Sequence, residues 1–268
     1  MPRAHRCYIP DQVWHITHRC HKQEFLLKFA IDRRRWIRWL FEAKKRYGLC
    51  VLNFTVTSNH IHLLVLDRGG EAIPKGIQLA AGRTAQEYNR RKGRKGAFWE
   101  DRYHATAVDT NEHLRRCLIY IDLNMIRAGV VQHPTEWRES GCRTIQNPPQ
   151  RYSVIDLPAL QNLLGFGSLE RLQCEHRRWI DDALADDSRH REACWSESTA
   201  VGRQSFVETV QQRMGIKARY SDVIETEGKT YLLQELPVAY NVDLGAKIDT
   251  LSLNNTPVGS VKYLKTTE

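Results

Sequence analysis

Leu49–Asp67 reads LCVLNFTVTSNHIHLLVLD. Two apolar runs rich in β-branched residues, Leu49–Thr57 and Ile61–Asp67, flank a tight polar link at Ser58-Asn59. That pattern predicts a hairpin. Upstream, Val13–Arg19 (VWHITHR) alternates apolar and polar residues and predicts a first strand. Between it and the hairpin, Phe29–Tyr47 predicts a helix. Its apolar stripe is Ile31, Trp36, Ile37, Leu40, Phe41 and Tyr47, its charge is mostly arginine, and Gly48 ends it. Downstream, Ile73–Arg91 predicts a second helix with Pro74 in its first turn, and Tyr103–Val108 a fourth strand. A further helix runs over Glu112–Arg127, opened by Asp109-Thr110-Asn111 and closed by Gly129. This order fits an α+β fold, a ferredoxin-like antiparallel sheet with helices on one face and the other open for a site. The central hairpin argues against a three-layer α/β fold.

A chain of 268 residues with 41% hydrophobic and 26% charged side chains can bury a sizeable core. No apolar run reaches the roughly 18 residues of a membrane span, and the opening MPRAHRCYIPDQ lacks the apolar stretch of a signal peptide. A cytoplasmic location is the expectation. Seven cysteines without a Cys-x-x-Cys pair argue against a disulfide framework or a zinc knuckle. Charge is uneven. Residues 1–150 hold 26 Lys/Arg against 14 Asp/Glu, a net of +12, and residues 151–268 hold 14 against 17, a net of −3. A basic first part points to a polyanionic partner.

From about Asn147 the texture changes, so two regions are expected, 1–146 and a mostly helical accessory region over 147–268. In the second, Ser168–Leu184 and Arg203–Met214 predict helices, and TYLLQEL and VKYLK predict short strands. Such a module would suit DNA binding.

Residues two apart in a strand face the same side, so His60 and His62 present both imidazoles together while Ile61, Leu63 and Val65 face the core. Paired imidazoles can chelate a divalent ion, and the same spacing also suits ordinary part-buried histidines. Along LRRCLIYIDLNMIRAG, residues Leu114, Leu118, Ile121 and Met125 form an apolar stripe. Tyr120, Asn124 and Arg127 form a polar one at i, i+4 and i+7. Asn124 offers a carbonyl oxygen to a hard cation, and Arg127 a guanidinium to a phosphate. Tyr120 is a nucleophile if a metal or positive charge stabilises its oxyanion, and otherwise a hydrogen-bonded helix residue. Arg90, Arg91, Lys92, Arg94 and Lys95, followed by Phe98 and Trp99, join phosphate-seeking charge to rings that unpaired bases can stack on. The two rings could equally anchor that loop in the core. Arg3, His5 and Arg6 make another basic patch.

Four segments in order, YIPDQVWHITHR, VTSNHIHLLV, FWEDRYHATAV and YIDLNMIRAGVV, carry a family resemblance over about residues 8–145. The chain resembles the single-tyrosine transposases of the HUH superfamily, especially the REP-associated subgroup. The resemblance implies that His60, His62 and Asn124 bind Mg2+ or Mn2+. It implies that Tyr120 attacks single-stranded DNA, giving a 5′-phosphotyrosine and a free 3′-OH. The implied substrate is a strand with a hairpin beside a guide tetranucleotide, which the segment Arg3–Tyr8 would help to read. A monomer acting in cis is expected, with a homodimer as the other form. The helix motif departs from the subgroup, whose Leu-Asn-Pro-Val-Arg is here Leu123-Asn124-Met125-Ile126-Arg127. A second reading is a regulatory or catalytically idle hairpin-DNA-binding protein that keeps the fold.

Overall fold

The structure, a computed structural model, describes residues 8–186, 191–218 and 220–235. Its first half follows the predicted order: β1 (Val13–Arg19), α1 (Ala30–Tyr47), β2 (Cys50–Val56), β3 (His60–Leu66), α2 (Ala72–Lys92), β4 (His104–Val108) and α3 (Glu112–Asp122). A short helix α4 (Asn124–Arg127) comes next. Five more α-helices and three strands follow, with short 3-10 turns among them: α5 (Gly141–Gln146), α6 (Leu157–Leu163), α7 (Leu169–Ala185), α8 (Cys194–Glu197), β5 (Ala200–Gly202), α9 (Gln204–Met214), β6 (Ser221–Thr226) and β7 (Thr230–Glu235). No helix among the described residues is long and apolar enough to cross a membrane.

The α+β class is as expected, and the sheet is larger than the ferredoxin-like core alone. Its strand order is β2-β3-β1-β4-β5-β7-β6. The first four strands pair antiparallel in the ferredoxin-like order, β5 joins β4 in parallel, and β7 and β6 continue antiparallel. Residues 147–235 therefore do not stand apart from the first region, because their strands extend its sheet. The junction is tight: Asp109 accepts three hydrogen bonds from Arg203, and a side chain at Gly202 would meet Asp109 Cβ at 2.5 Å.

Register decides where the site lies. Paired residues share a face, and β2, β3, β1 and β4 align Asn53, Leu64, His15 and Thr106 in one row and Thr55, His62, Thr17 and His104 in the next. One face of the central sheet is thus polar. The other carries Phe54, Leu63, Ile16 and Ala105 in register; α1 contacts β2, and α2 packs along α1. The loop after α2 is tied to that side: Trp99 donates its indole N–H to Ala81 O and stacks on His18.

Helix α3 lies on the polar face. Sheet side chains meet its backbone there: Asn53 Nδ2 donates to Leu118 O and to Asp122 Oδ1, and Thr55 Oγ1 donates to Ile121 O. A helix leaves its last carbonyls without intrahelical partners. Thr55 caps Ile121 in this way, and Arg127 caps the carbonyl of Tyr120. The predicted single helix over Glu112–Arg127 breaks at Leu123, where φ −78° and ψ 0° leave the α-helical range. Gly129, at φ 67°, ends the second piece with the paired bonds Gly129 N–Ile126 O and Val130 N–Met125 O.

Candidate metal and nucleophile site

His60 and His62 point from β3 toward the end of α3. Their Nε2 atoms lie 3.1 Å apart, and the Asn124 amide nitrogen lies 2.9 Å from His62 Nε2. His60 Nδ1 sits 2.7 Å from Asn59 Oδ1, an acceptor, so the ring carries its proton there and its Nε2 is a bare lone pair. Burial holds His60 down to about 4, with Arg19 and Arg127 adding to it, and holds His62 well below the ordinary histidine range. Both rings are therefore neutral near pH 7, the form that binds metals.

Two ligand nitrogens about 2.1 Å from one octahedral cation and at right angles to each other would be about 3.0 Å apart. The 3.1 Å spacing matches that bite. Asn124 can complete the set by presenting Oδ1, so the residues fit a divalent ion. Asp122, Cys142 and His176 form a second buried group of ligand-type side chains. Asp122 is already bonded to His176 and Asn53, and His176 to Gln146. In this group the Asp122 and His176 side chains are thus already taken up by hydrogen bonds.

Tyr120 stands over the histidines, its ring centroid 5.7 Å from that of His62 and nearly perpendicular to it. Arg127 covers the phenol from the other side, its guanidinium carbon 4.1 Å from the ring centroid. Burial raises the Tyr120 pKa above the ordinary phenol value and Arg127 opposes the rise. The hydroxyl thus holds its proton in the free protein, and ionising it calls for added positive charge. His60, His62, Tyr120, Asn124 and Arg127 all line one cavity of about 580 Å³.

The structure brings those five predicted residues together and leaves others elsewhere. Arg90, Arg91, Lys92, Arg94 and Lys95 do not line the cavity. Arg91 pairs with the buried Asp32, Lys92 sits over the Phe29 ring, and Arg94 donates to Ala97 O. Phe98 as a base-stacking ring is corrected: it is 2% exposed and packs between Tyr88 and Trp99 in the core. Trp99, part-buried, has His18 stacked on one ring face. Arg3, His5 and Arg6 lie outside the described residues, as does the VKYLK segment.

Sequence reasoning missed several residues of the cavity wall: Arg19, Asp101, Arg102 and His104 from the first region, and Arg191 and Glu197 from the second. It also missed His15, buried beside His62. The alternation in VWHITHR does place His15 and Thr17 on one strand face, which is a usable signal. No pattern marks the 191–197 segment.

Residues 9–124 match the family model described as Transposase IS200 like. This region resembles the IS200-like transposases. The matched span holds His60, His62, Tyr120 and Asn124, and stops short of Arg127. Among solved structures, a REP-associated tyrosine transposase bound to a REP hairpin is 17% identical, with 58% of this chain and 94% of that chain covered and a TM-score of 0.44. A protein described as a candidate transposase from Deinococcus radiodurans R1 is 15% identical, with 48% and 97% covered and a TM-score of 0.33. No curated protein matches the chain.

Proposed function

We propose that this protein is a metal-dependent endonuclease and strand transferase acting on single-stranded hairpin DNA, with Tyr120 as the nucleophile. The observation that carries the reading is the meeting of Tyr120 with His60, His62 and Asn124 around one cavity of a transposase-like domain. His60, His62 and Asn124 would hold Mg2+ or Mn2+. Bound there, the ion supplies electrophilic polarisation of a phosphate oxygen.

The other parts of the reaction belong to the chain. Arg127, over the phenol, offers positive charge to the developing phenolate and to the phosphate. In the cleavage step the Tyr120 Oη–P bond forms and the P–O3′ bond breaks. The phenolic proton is lost and the departing 3′ oxygen gains one, so the products are a 5′-phosphotyrosine and a 3′-OH. In the joining step a 3′-OH attacks the same phosphorus, the Tyr120–P bond breaks and the phenol is restored. No outside energy source is needed, because each step exchanges one phosphodiester for another. Tyr120 reaches the histidine pair of its own chain, which supports a monomer acting in cis.

The test is incubation with hairpin-bearing single strands and Mn2+, read on a denaturing gel. Wild type should give a protein–DNA band that Tyr120→Phe loses entirely while hairpin binding persists. Equal bands from both proteins would remove Tyr120 from its role. Hairpin binding without any wild-type band would favour the regulatory reading.

A further inference from the structure

We infer that His15 is a positioning residue that fixes the ligand form of His62, and that the backbone of Trp195 makes the C-terminal region part of the site. This rests on the proposed role of His62 as a metal ligand.

His60 and His62 are oriented by different means. His60 has Asn59 as an acceptor for its Nδ1 proton. Among the described residues, no side-chain oxygen takes that place at His62. Its Nδ1 faces His15 Nε2 at 2.9 Å, and the two rings are parallel within 2°. An imidazole alone does not settle which partner donates, since either nitrogen of either ring can carry the proton. The other end of His15 settles it. Its Nδ1 lies 2.8 Å from the Trp195 carbonyl oxygen, which can only accept. His15 is fully buried, so its ring is neutral and has one proton to place.

The polarity then runs one way. His15 Nδ1–H donates to Trp195 O, His15 Nε2 accepts, and His62 Nδ1–H donates to it. His62 Nε2 is left as a lone pair facing His60 Nε2 and Asn124. Ligating histidines commonly donate their second N–H to an oxygen acceptor that fixes their tautomer. Here an imidazole stands in for that acceptor, and a backbone carbonyl from outside the family-matched span sets its direction. The carbonyl is itself held in place. Thr106 Oγ1 reaches both Trp195 O and Ser198 O, and the fully buried Trp195 ring lies 6.2 Å from the Tyr120 ring.

The test compares wild type, His15→Phe and His15→Gln as full chains. Phenylalanine fills the space without an acceptor, and glutamine restores one. Mn2+ alone is titrated by calorimetry, and the ring-nitrogen shifts of His62 are read by 15N NMR in metal-free protein. In wild type, His62 should be protonated at Nδ1 and bare at Nε2. His15→Phe should weaken Mn2+ binding by about 10- to 100-fold and mix the two tautomers, while His15→Gln recovers most of the affinity. Wild-type affinity in a folded His15→Phe protein would overturn the inference, as would a wild-type His62 protonated at Nε2. If wild type bound no Mn2+, the metal reading would fail, and the tautomer measurement alone would decide what His15 does.

Discussion

The histidines at the heart of the site are kept neutral by burial. His15 and His60 are held at about 3 and about 4, in each case chiefly by desolvation, whereas both titrate near 6.5 in an unfolded chain. Between those limits the unfolded chain takes up protons that the folded protein refuses. The stability these rings contribute is therefore complete above about pH 6.5 and is lost as pH falls toward about 4. Each fully neutral ring adds up to about 1.4 kcal/mol per pH unit to that loss. Urea unfolding of the metal-free protein should give a clearly lower midpoint at about pH 5 than at about pH 7.5, and the difference should shrink in His15→Phe. Equal midpoints at the two values would show that these rings are not buried as described.

At the scale of elements, the decisive packing is a helix set on a polar sheet face. Apolar side chains alone would bury α3 there at the cost of its terminal carbonyls, and Thr55 and Arg127 supply the missing donors. Behind the helix, His176 Nε2 bonds Asp122 Oδ2 at 2.7 Å while Asn53 holds Oδ1, both in full burial. This network ties α7 to the residue two places after Tyr120. His176→Leu should leave a buried carboxylate oxygen without its donor and cost about 1–3 kcal/mol. A denaturation midpoint equal to wild type would mean that the pair stabilises nothing. The break at Leu123 belongs to the same arrangement. No proline stands in the next positions, yet the helix still ends before Asn124, where Asp122 is held by two other elements.

At the scale of the whole molecule, the sheet is one piece from β2 to β6, and its second half supports the site in the first. Ending the chain after residue 146 would strip β5 from β4 and leave an unpaired edge through Ala107 and Val108. It would also remove the carbonyl that orients His15 and the Arg191–Glu197 wall of the cavity. Such a chain should be less soluble, melt earlier and bind Mn2+ more weakly than the full protein. A truncated chain that melts and binds Mn2+ like the full one would refute the shared role of the two regions.

Periodicity by itself determined the hairpin around Ser58-Asn59, the helices before and after it, and two chemistry-bearing rows: His60 with His62, and Tyr120 with Asn124 and Arg127. These rest on local geometry, a repeat of 2 in a strand and of 3.6 in a helix, which neighbouring residues carry in full. Only the tertiary structure decided that the two rows meet, because sheet register and the seating of α3 are contacts between distant segments. It alone placed Phe98 in the core, since an aromatic ring beside basic residues reads the same whether it faces solvent or the interior. It alone revealed β5 beside β4, where a three-residue strand is too short to show an alternation. The acceptor that orients His15 is a backbone carbonyl, a group every residue possesses, so no sequence could single out Trp195 for that task.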